Sequence, residues 1–201
     1  MNNKVFTYWE NEAGKLTPPY IKACIDSIKM NCKEFVLLTP DNINQFIDKD
    51  ELNPNWRSLP YIAQHADCIR VAIINKYGGW WIDADTCFLR PIELIANFID
   101  ESKEFSFFQW IDGRVLNGYF YAKSPNSSVT SDWLESINKI LSNPSQMQWT
   151  SLGESILTPL VKWKYKPKCQ LLDRNIFLPI NFDKIPYIFF EDVNSVFLFV
   201  F

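Results

Sequence analysis

The sequence is poor in the residues that build metal clusters and disulfide frameworks. Its 201 residues include one histidine and five cysteines, an odd number, and none of the cysteines stands in a Cys-x-x-Cys pair. This spacing argues against a disulfide scaffold and against a thiolate zinc site. Because unpaired cysteines persist in reducing compartments, we expect a cytoplasmic protein.

The sequence also lacks long hydrophobic runs and an excess of positive charge. Its apolar stretches fall short of the roughly 20 residues that a transmembrane helix requires, so no membrane-spanning helix is expected. The 20 lysines and arginines stand against 23 aspartates and glutamates, which gives a net charge of -3. Because nucleic-acid-binding proteins use positive surfaces to displace counterions from phosphates, nucleic acid is not an expected partner.

The chain is rich in apolar residues, at 47%, and in aromatic residues, at 16%. A chain of this length and composition buries a large core and is expected to fold as one α/β domain. In its first half, short apolar segments alternate with amphipathic ones, a pattern typical of βα units with a mostly parallel sheet. The predicted strands are residues 4–8, 35–38, 80–85, 105–111, 115–122 and 185–201, and the predicted helices are residues 19–31, 43–47, 61–77, 127–141 and 154–163.

Two aspartates, Asp83 and Asp85, end the apolar segment that begins at Trp80. The Asp-x-Asp spacing alone is weak, because a chain of this composition contains about one such pair by chance, and Asp48 and Asp50 form a second. Placing two like charges at the end of a buried strand is costly unless something binds them. Strand alternation directs both carboxylates to one face, where they could reach one magnesium or manganese ion together with substrate phosphates.

An acidic and a basic residue stand three positions apart on the predicted helix that leads into this strand. Asp67 and Arg70 lie on adjoining turns and can act as a unit. An ordinary surface ion pair is the alternative interpretation. Because the helix runs through Gly78 and Gly79 directly into the carboxylate strand, a functional role is favoured.

These segments together carry a resemblance to a known family. Residues 65–70, His-Ala-Asp-Cys-Ile-Arg, are followed by residues 76–85, Lys-Tyr-Gly-Gly-Trp-Trp-Ile-Asp-Ala-Asp, and by residues 89–92, Leu-Arg-Pro-Ile. The three resemble the DXD sugar-binding region of family 32 glycosyltransferases, and in particular its capsular polysaccharide synthesis branch. Weaker similarity includes Tyr8-Trp9, Asn117-Gly118 and Leu152-Gly153-Glu154.

The resemblance implies a GT-A fold, with a mostly parallel central sheet flanked by helices. It implies a retaining hexosyltransferase whose donor is a nucleotide sugar, UDP-linked by preference. It also implies a divalent cation (Mn2+ or Mg2+) as cofactor and a glycan or lipid-linked glycan as acceptor. Residues 1–95 would form the nucleotide-sugar-binding half and residues 96–201 the acceptor-side half, the part in which relatives are commonly longer. The protein would act on capsular or cell-surface polysaccharide, with peripheral association at the inner face of the membrane.

The family also implies roles for individual residues. Asp67 and Arg70 would contact the donor sugar and nucleotide, and Gly79 would lie in the donor site. Asp83 would bind the ribose or the sugar, and Asp85 the metal, so that the two aspartates form the metal and catalytic pair.

Further site residues are expected on either side of this region. Trp9 is a candidate to stack on the nucleobase, with a place in the core as the alternative, and Asn117 is a candidate sugar contact. The chain has no second histidine for the metal shell, so Asp192 or water is the hypothesis for that position. Asp112 and Glu154 are candidates for a nucleophile in a retaining mechanism.

Two other functions stay open from the sequence. Asp83 and Asp85 also fit the nucleophile loop of haloacid-dehalogenase phosphatases, in which the first aspartate is phosphorylated and the second is the acid. The other alternative is a truncated, non-catalytic protein that binds a nucleotide sugar without turning it over. Residues 185–201, predicted as a core strand, could instead be a membrane-facing patch or the end of a truncated chain.

Overall fold

The computed structural model describes residues 2–110, 112–143, 147–148, 150–177 and 199–200. The strands are β1 (Lys4–Tyr8), β2 (Glu34–Leu38), β3 (Gly79–Ile82), β4 (Thr86–Cys87), β5 (Phe105–Gln109), β6 (Val115–Ala122), β7 (Cys169–Leu171) and β8 (Phe199–Val200). The helices are α1 (Pro19–Asn31), α2 (Ile62–Tyr77), α3 (Glu93–Ala96), α4 (Ser128–Ser142), α5 (Glu154–Pro159) and α6 (Arg174–Phe177). Short 3-10 turns cover Ile43–Gln45, Pro54–Ser58 and Lys166–Lys168.

Six strands form one central sheet in the order β2-β1-β3-β6-β5-β7. Strand β1 is parallel to both β2 and β3, and β5 is parallel to β7. Strand β6 is antiparallel to its neighbours β3 and β5, so it is the one reversed strand of this sheet. The mostly parallel sheet expected from the sequence is confirmed. Strands β4 and β8 pair separately and antiparallel.

Helices cover both faces of the sheet because the strands are apolar on both sides. Trp81 faces the cluster that contains α2 and α4, whereas Trp80 faces the cluster that contains α1 and α3. Both tryptophans are fully buried. Each removes about 200 Å² from water, which at about 25 cal/mol per Å² favours folding by about 5 kcal/mol. The central strand β3 is thereby anchored in the core up to the point where its carboxylates follow.

Two glycines join α2 to β3 without a loop. Gly78 ends the helix with φ +64°, and its N–H donates to the Ile74 carbonyl oxygen at 2.9 Å. A Cβ at Gly79 would lie 2.6 Å from the Lys4 carbonyl oxygen, so only glycine lets β3 approach β1 here. The junction fixes the register between helix α2 and the carboxylates that end β3.

Three predicted elements differ from the structure. The strand expected at residues 80–85 ends at Ile82. The Asp83 N–H still donates a hydrogen bond to the Gly118 carbonyl oxygen at 3.1 Å, and the chain then turns away from the sheet. The helix expected to Trp163 is α-helical only to Pro159, whose missing N–H favours the π-helical turn that follows over Leu160–Lys164. The helix expected at 43–47 is a 3-10 turn.

Most of the strand predicted at 185–201 lies outside the described residues. Within the part of the chain that the structure describes, no helix is long and apolar enough to cross a membrane.

Candidate functional site

A cavity of about 470 Å³ opens where the parallel strands β1 and β3 end, beside the first turns of α2. The carboxyl ends of parallel strands are the usual place for ligands in open α/β sheets. The residues that line it include Tyr8, Trp9, Glu10, Lys15, Ala66, Arg70, Asp83 and Asp85. The structure therefore brings four of the predicted site residues, Trp9, Arg70, Asp83 and Asp85, to one cavity.

Arg70 is the centre of a buried charge cluster in this cavity. Its Nη1 lies 2.8 Å from Asp67 Oδ1 and its Nη2 lies 3.0 Å from Asp83 Oδ1, and the side chain is only 6% exposed. Burial alone would lower the pKa of Arg70, but Asp83 and Asp67 hold it above the ordinary value. The alternative of a surface ion pair is therefore wrong. The Nε of Arg70 is buried without a partner among the described residues.

Two side-chain donors, Arg70 and Trp81, hold Asp83 in a fixed orientation. Besides Arg70, the indole Nε1 of Trp81 donates to Asp83 Oδ1 at 2.8 Å. A Cβ at Gly118 would lie 2.1 Å from Asp83 Oδ2, so the carboxylate occupies space that only a glycine leaves free. With Oδ1 satisfied, Oδ2 is the oxygen left for a ligand.

Asp85 lies on the turn after β3 and differs from Asp83 in having a fully buried oxygen that is unsatisfied. Its Oδ1 is buried without a hydrogen-bond partner in the described part of the chain. Burial first, and then the negative charge of Asp83, raise the pKa of Asp85 to about 7. An orphaned carboxylate oxygen beside a second carboxylate suits a hard divalent cation, which neutralises both charges.

The described residues contain no cluster of three or more His, Cys, Asp or Glu side chains able to hold a metal. A cation at Asp83 and Asp85 would therefore take its other ligands from water or from substrate phosphates, as Mg2+ and Mn2+ commonly do. Asp192, the residue considered for a further ligand, lies outside the described residues.

Asp67 connects the cluster to the second half of the chain. Its Oδ1 accepts a hydrogen bond from Asn117 Nδ2 at 2.9 Å, and burial raises the pKa of Asp67 to about 6. A Cβ at Gly153 would lie 2.1 Å from Asn117 Nδ2. Gly153 and Gly118 thus leave the space that Asn117 and Asp83 occupy, and sequence reasoning missed both roles.

Trp9 and Gly79 lie at opposite ends of the sheet. Trp9 follows β1 and is half-buried, and its Nε1 donates to Asn11 Oδ1 at 2.7 Å. Trp9 lines both the main cavity and a neighbouring one of about 560 Å³. Gly79 begins β3, at the end far from Asp83, where it packs on Lys4. A donor contact at Gly79 stays a prediction, and this placement argues against it.

The nucleophile candidates remain outside the charge cluster. Asp112 is exposed and pairs with Arg114 at 2.7 Å, and Glu154 lies 3.8 Å from the same guanidinium. Neither residue lines the main cavity.

Comparison with known proteins finds a matching family and a curated relative. Residues 1–148 match the model of a family described as capsular polysaccharide synthesis protein. The chain is 25% identical over 168 residues to O-glycosyltransferase braB of Annulohypoxylon truncatum, covering 73% of this chain. It spans 39% of the length of that curated relative.

Two solved structures share the fold. PaToxG glycosyltransferase matches 83% of this chain and 69% of its own, with a TM-score of 0.58 and 11% identity. The apo form of the glycosyltransferase GlyE from Streptococcus pneumoniae TIGR4 matches 98% of this chain and 54% of its own, with a TM-score of 0.55 and 10% identity. The expected GT-A fold class is confirmed. The phosphatase hypothesis finds no support in these likenesses.

Proposed function

This chain belongs to the capsular polysaccharide synthesis protein family, and from that premise we propose that it is a metal-dependent, retaining hexosyltransferase. Its donor is a nucleotide sugar, UDP-linked by preference, and its acceptor is a glycan or lipid-linked glycan of a capsule or cell surface. The observation that carries the proposal is the Asp67–Arg70–Asp83 charge cluster beside the unsatisfied Asp85 oxygen. Arg70, Asp83 and Asp85 all line the strand-end cavity.

The charge cluster suits a diphosphate. Asp85 Oδ1 and Asp83 Oδ2 would hold the Mn2+ or Mg2+ ion, which when bound supplies positive charge to the departing nucleoside diphosphate. Arg70 uses two of its five N–H groups on aspartates, so other N–H groups are available to phosphate oxygens. Glycosyl transfer needs this compensation because negative charge grows on the leaving group while the sugar becomes oxocarbenium-like.

The rest of the donor extends along the cavity in both directions from the cluster. Trp9, which lines the cavity, would offer a flat face to the nucleobase. Asp67 and Asn117 are hydrogen-bonded to each other and are not among the residues that line the cavity, so their contacts with sugar hydroxyls are part of the proposal. Asp83 would contact the ribose or the sugar. Residues 1–95 then form the donor-binding half and residues 96–201 the acceptor side. The five free cysteines fit the cytoplasmic inner face of the membrane, where nucleotide sugars would meet a lipid-linked acceptor.

The test is nucleotide release from a panel of UDP- and GDP-sugars with manganese, with chelator, and with Asp85→Asn. We expect chelator-sensitive release from one donor that is lost in Asp85→Asn but kept in Glu135→Gln, an exposed charge change on α4. Metal-dependent donor binding without sugar release would select the non-catalytic alternative. Absence of both binding and release would refute the proposal.

A further inference from the structure

Glu10 carries a carboxylate on the cavity wall that the charge cluster does not use. It lies two residues after β1, next to Trp9, and its side chain is 23% exposed. Its Oε2 accepts a hydrogen bond from the Tyr8 hydroxyl at 2.6 Å and lies 2.8 Å from His65 Nδ1 on α2. One carboxylate oxygen is therefore held from two sides, by β1 and by α2.

The ring of His65 lies between two oxygen acceptors. Its Nε2 lies 3.1 Å from the carbonyl oxygen of Leu59, which can only accept, so Nε2 carries a proton. Its Nδ1 faces Oε2 of Glu10, and a proton is needed between these two atoms as well. The His65 ring is thus in hydrogen-bond contact with Glu10 on one side and with the Leu59 carbonyl oxygen on the other.

Tyr8 completes the arrangement as a permanent donor. Burial, together with its hydrogen bond to Glu10, raises the pKa of Tyr8 well above the usual range, so the phenol keeps its proton. Oε2 is then satisfied by two donors. Within the described part of the chain Oε1 has no hydrogen-bond partner, and the residue borders the cavity. Oε1 is left as an oriented acceptor.

The neighbouring acceptors around Trp9 are already engaged. Oδ1 of Asn11 accepts from Trp9 Nε1 and from the Thr17 hydroxyl, and Glu12 is ion-paired with Lys15. A free carboxylate oxygen repels phosphate but accepts hydrogen bonds from O–H and N–H groups. On a nucleotide sugar that stacks on Trp9, such donors near the base are the ribose hydroxyls and the base N–H.

We propose that Glu10 is a nucleoside-binding residue whose Oε1 accepts a hydrogen bond from a ribose hydroxyl or a base N–H of the donor. Tyr8 and His65 are positioning residues that hold Glu10 in this orientation. The inference rests on the proposed function, because it requires that a nucleotide sugar occupies this cavity.

The first experiment is calorimetric binding of UDP and GDP with manganese to wild type, Glu10→Ala, Glu10→Gln and Glu135→Gln. Loss of a hydrogen bond to a charged group weakens affinity by about tenfold to a hundredfold, so we expect this loss in Glu10→Ala and wild-type affinity in Glu135→Gln. Equal affinity of wild type and Glu10→Ala for the nucleotide that binds would overturn the inference alone. No binding of either nucleotide by wild type would overturn the proposed function with it.

A second experiment uses wild-type protein, so that it stands even if Glu10→Ala fails to fold. Binding of UDP is compared with that of 2′-deoxy-UDP, 3′-deoxy-UDP and N3-methyl-UDP, or of the matching GDP analogues if GDP is the ligand. The analogue that lacks the relevant donor should bind at least about tenfold more weakly, which identifies ribose or base as the source. Equal binding of all analogues would overturn the inference.

A third experiment tests the positioning role. The Nδ2 of Asn reaches the place of the imidazole Nδ1, whereas the Nε2 of Gln reaches that of the imidazole Nε2. We therefore expect His65→Asn to keep near-wild-type KM for the donor and His65→Gln to raise it, with kcat changed little in both. Equal effects of the two substitutions on KM, or a loss confined to kcat, would contradict the positioning role.

Discussion

Replacing Asp85 by asparagine should stabilise the metal-free protein at alkaline pH while it removes the cation site. In the folded protein the pKa of Asp85 rises from 3.8 to about 7, through burial and then the charge of Asp83. At about 1.36 kcal/mol for each pH unit, the ionised carboxylate costs up to about 4 kcal/mol. Because part of the side chain stays in contact with water, we expect Asp85→Asn to regain about 2 kcal/mol, or about 4–8 °C in Tm.

The sign of the pH dependence follows from proton binding. Between pH 3.8 and about 7 the folded protein holds a proton on Asp85 that the unfolded chain has released. The penalty is thus absent below this window, grows as pH rises through it, and is complete above it. The gain in Tm from Asp85→Asn should be largest at pH 8 and fall below about 2 °C near pH 4.5.

The assay is differential scanning calorimetry in chelator at both pH values, with Asp50→Asn as the control for loss of an exposed carboxylate. We expect the control to shift Tm by less than about 2 °C at either pH. A loss of stability in Asp85→Asn at pH 8, or an equal gain at both pH values, would show that burial of the ionised Asp85 carboxylate does not destabilise the folded protein.

The other predictions concern the supporting residues. Arg70→Met leaves the buried Asp67 and the half-buried Asp83 uncompensated and should lower the free energy of unfolding by about 3–5 kcal/mol, measured by urea denaturation. A change below about 1 kcal/mol would show that the cluster is solvated. Gly118→Ala places a Cβ 2.1 Å from Asp83 Oδ2 and should therefore weaken manganese binding, measured by calorimetry. The circular dichroism spectrum should change little. Unchanged manganese affinity would exclude Asp83 as a ligand. Trp9→Ala should weaken nucleotide binding by at least about fivefold, whereas Trp163→Ala, at an exposed tryptophan, should not; equal effects would place the base elsewhere.

Local periodicity was sufficient to predict most elements of the fold. The strand Lys4–Tyr8 and the helix Pro19–Asn31 have the predicted bounds, and Gly78 ends α2 as its sequence indicates. These features depend on neighbours within a few residues, whose spacing the sequence displays. The pairing of Asp67 with Arg70 belongs to the same class, because i,i+3 neighbours on a helix share a side.

The contacts that complete the site could not be predicted, because they join distant segments. Gly118 makes room for Asp83 only because β6 lies beside β3, a pairing that no local pattern specifies. The bond from Glu10 to His65 joins the end of β1 to α2, across 55 residues. The hydrogen bond from Trp81 to the Asp83 carboxylate forms where strand β3 ends and the chain turns.

The most direct test of the account is a crystal structure with UDP and manganese, measured at the manganese absorption edge. We expect one anomalous peak at the Asp83 and Asp85 carboxylates. The diphosphate should lie between that peak and Arg70, and the base should lie against Trp9. A nucleotide bound outside this cavity, or a manganese peak with no contact to Asp85, would contradict it.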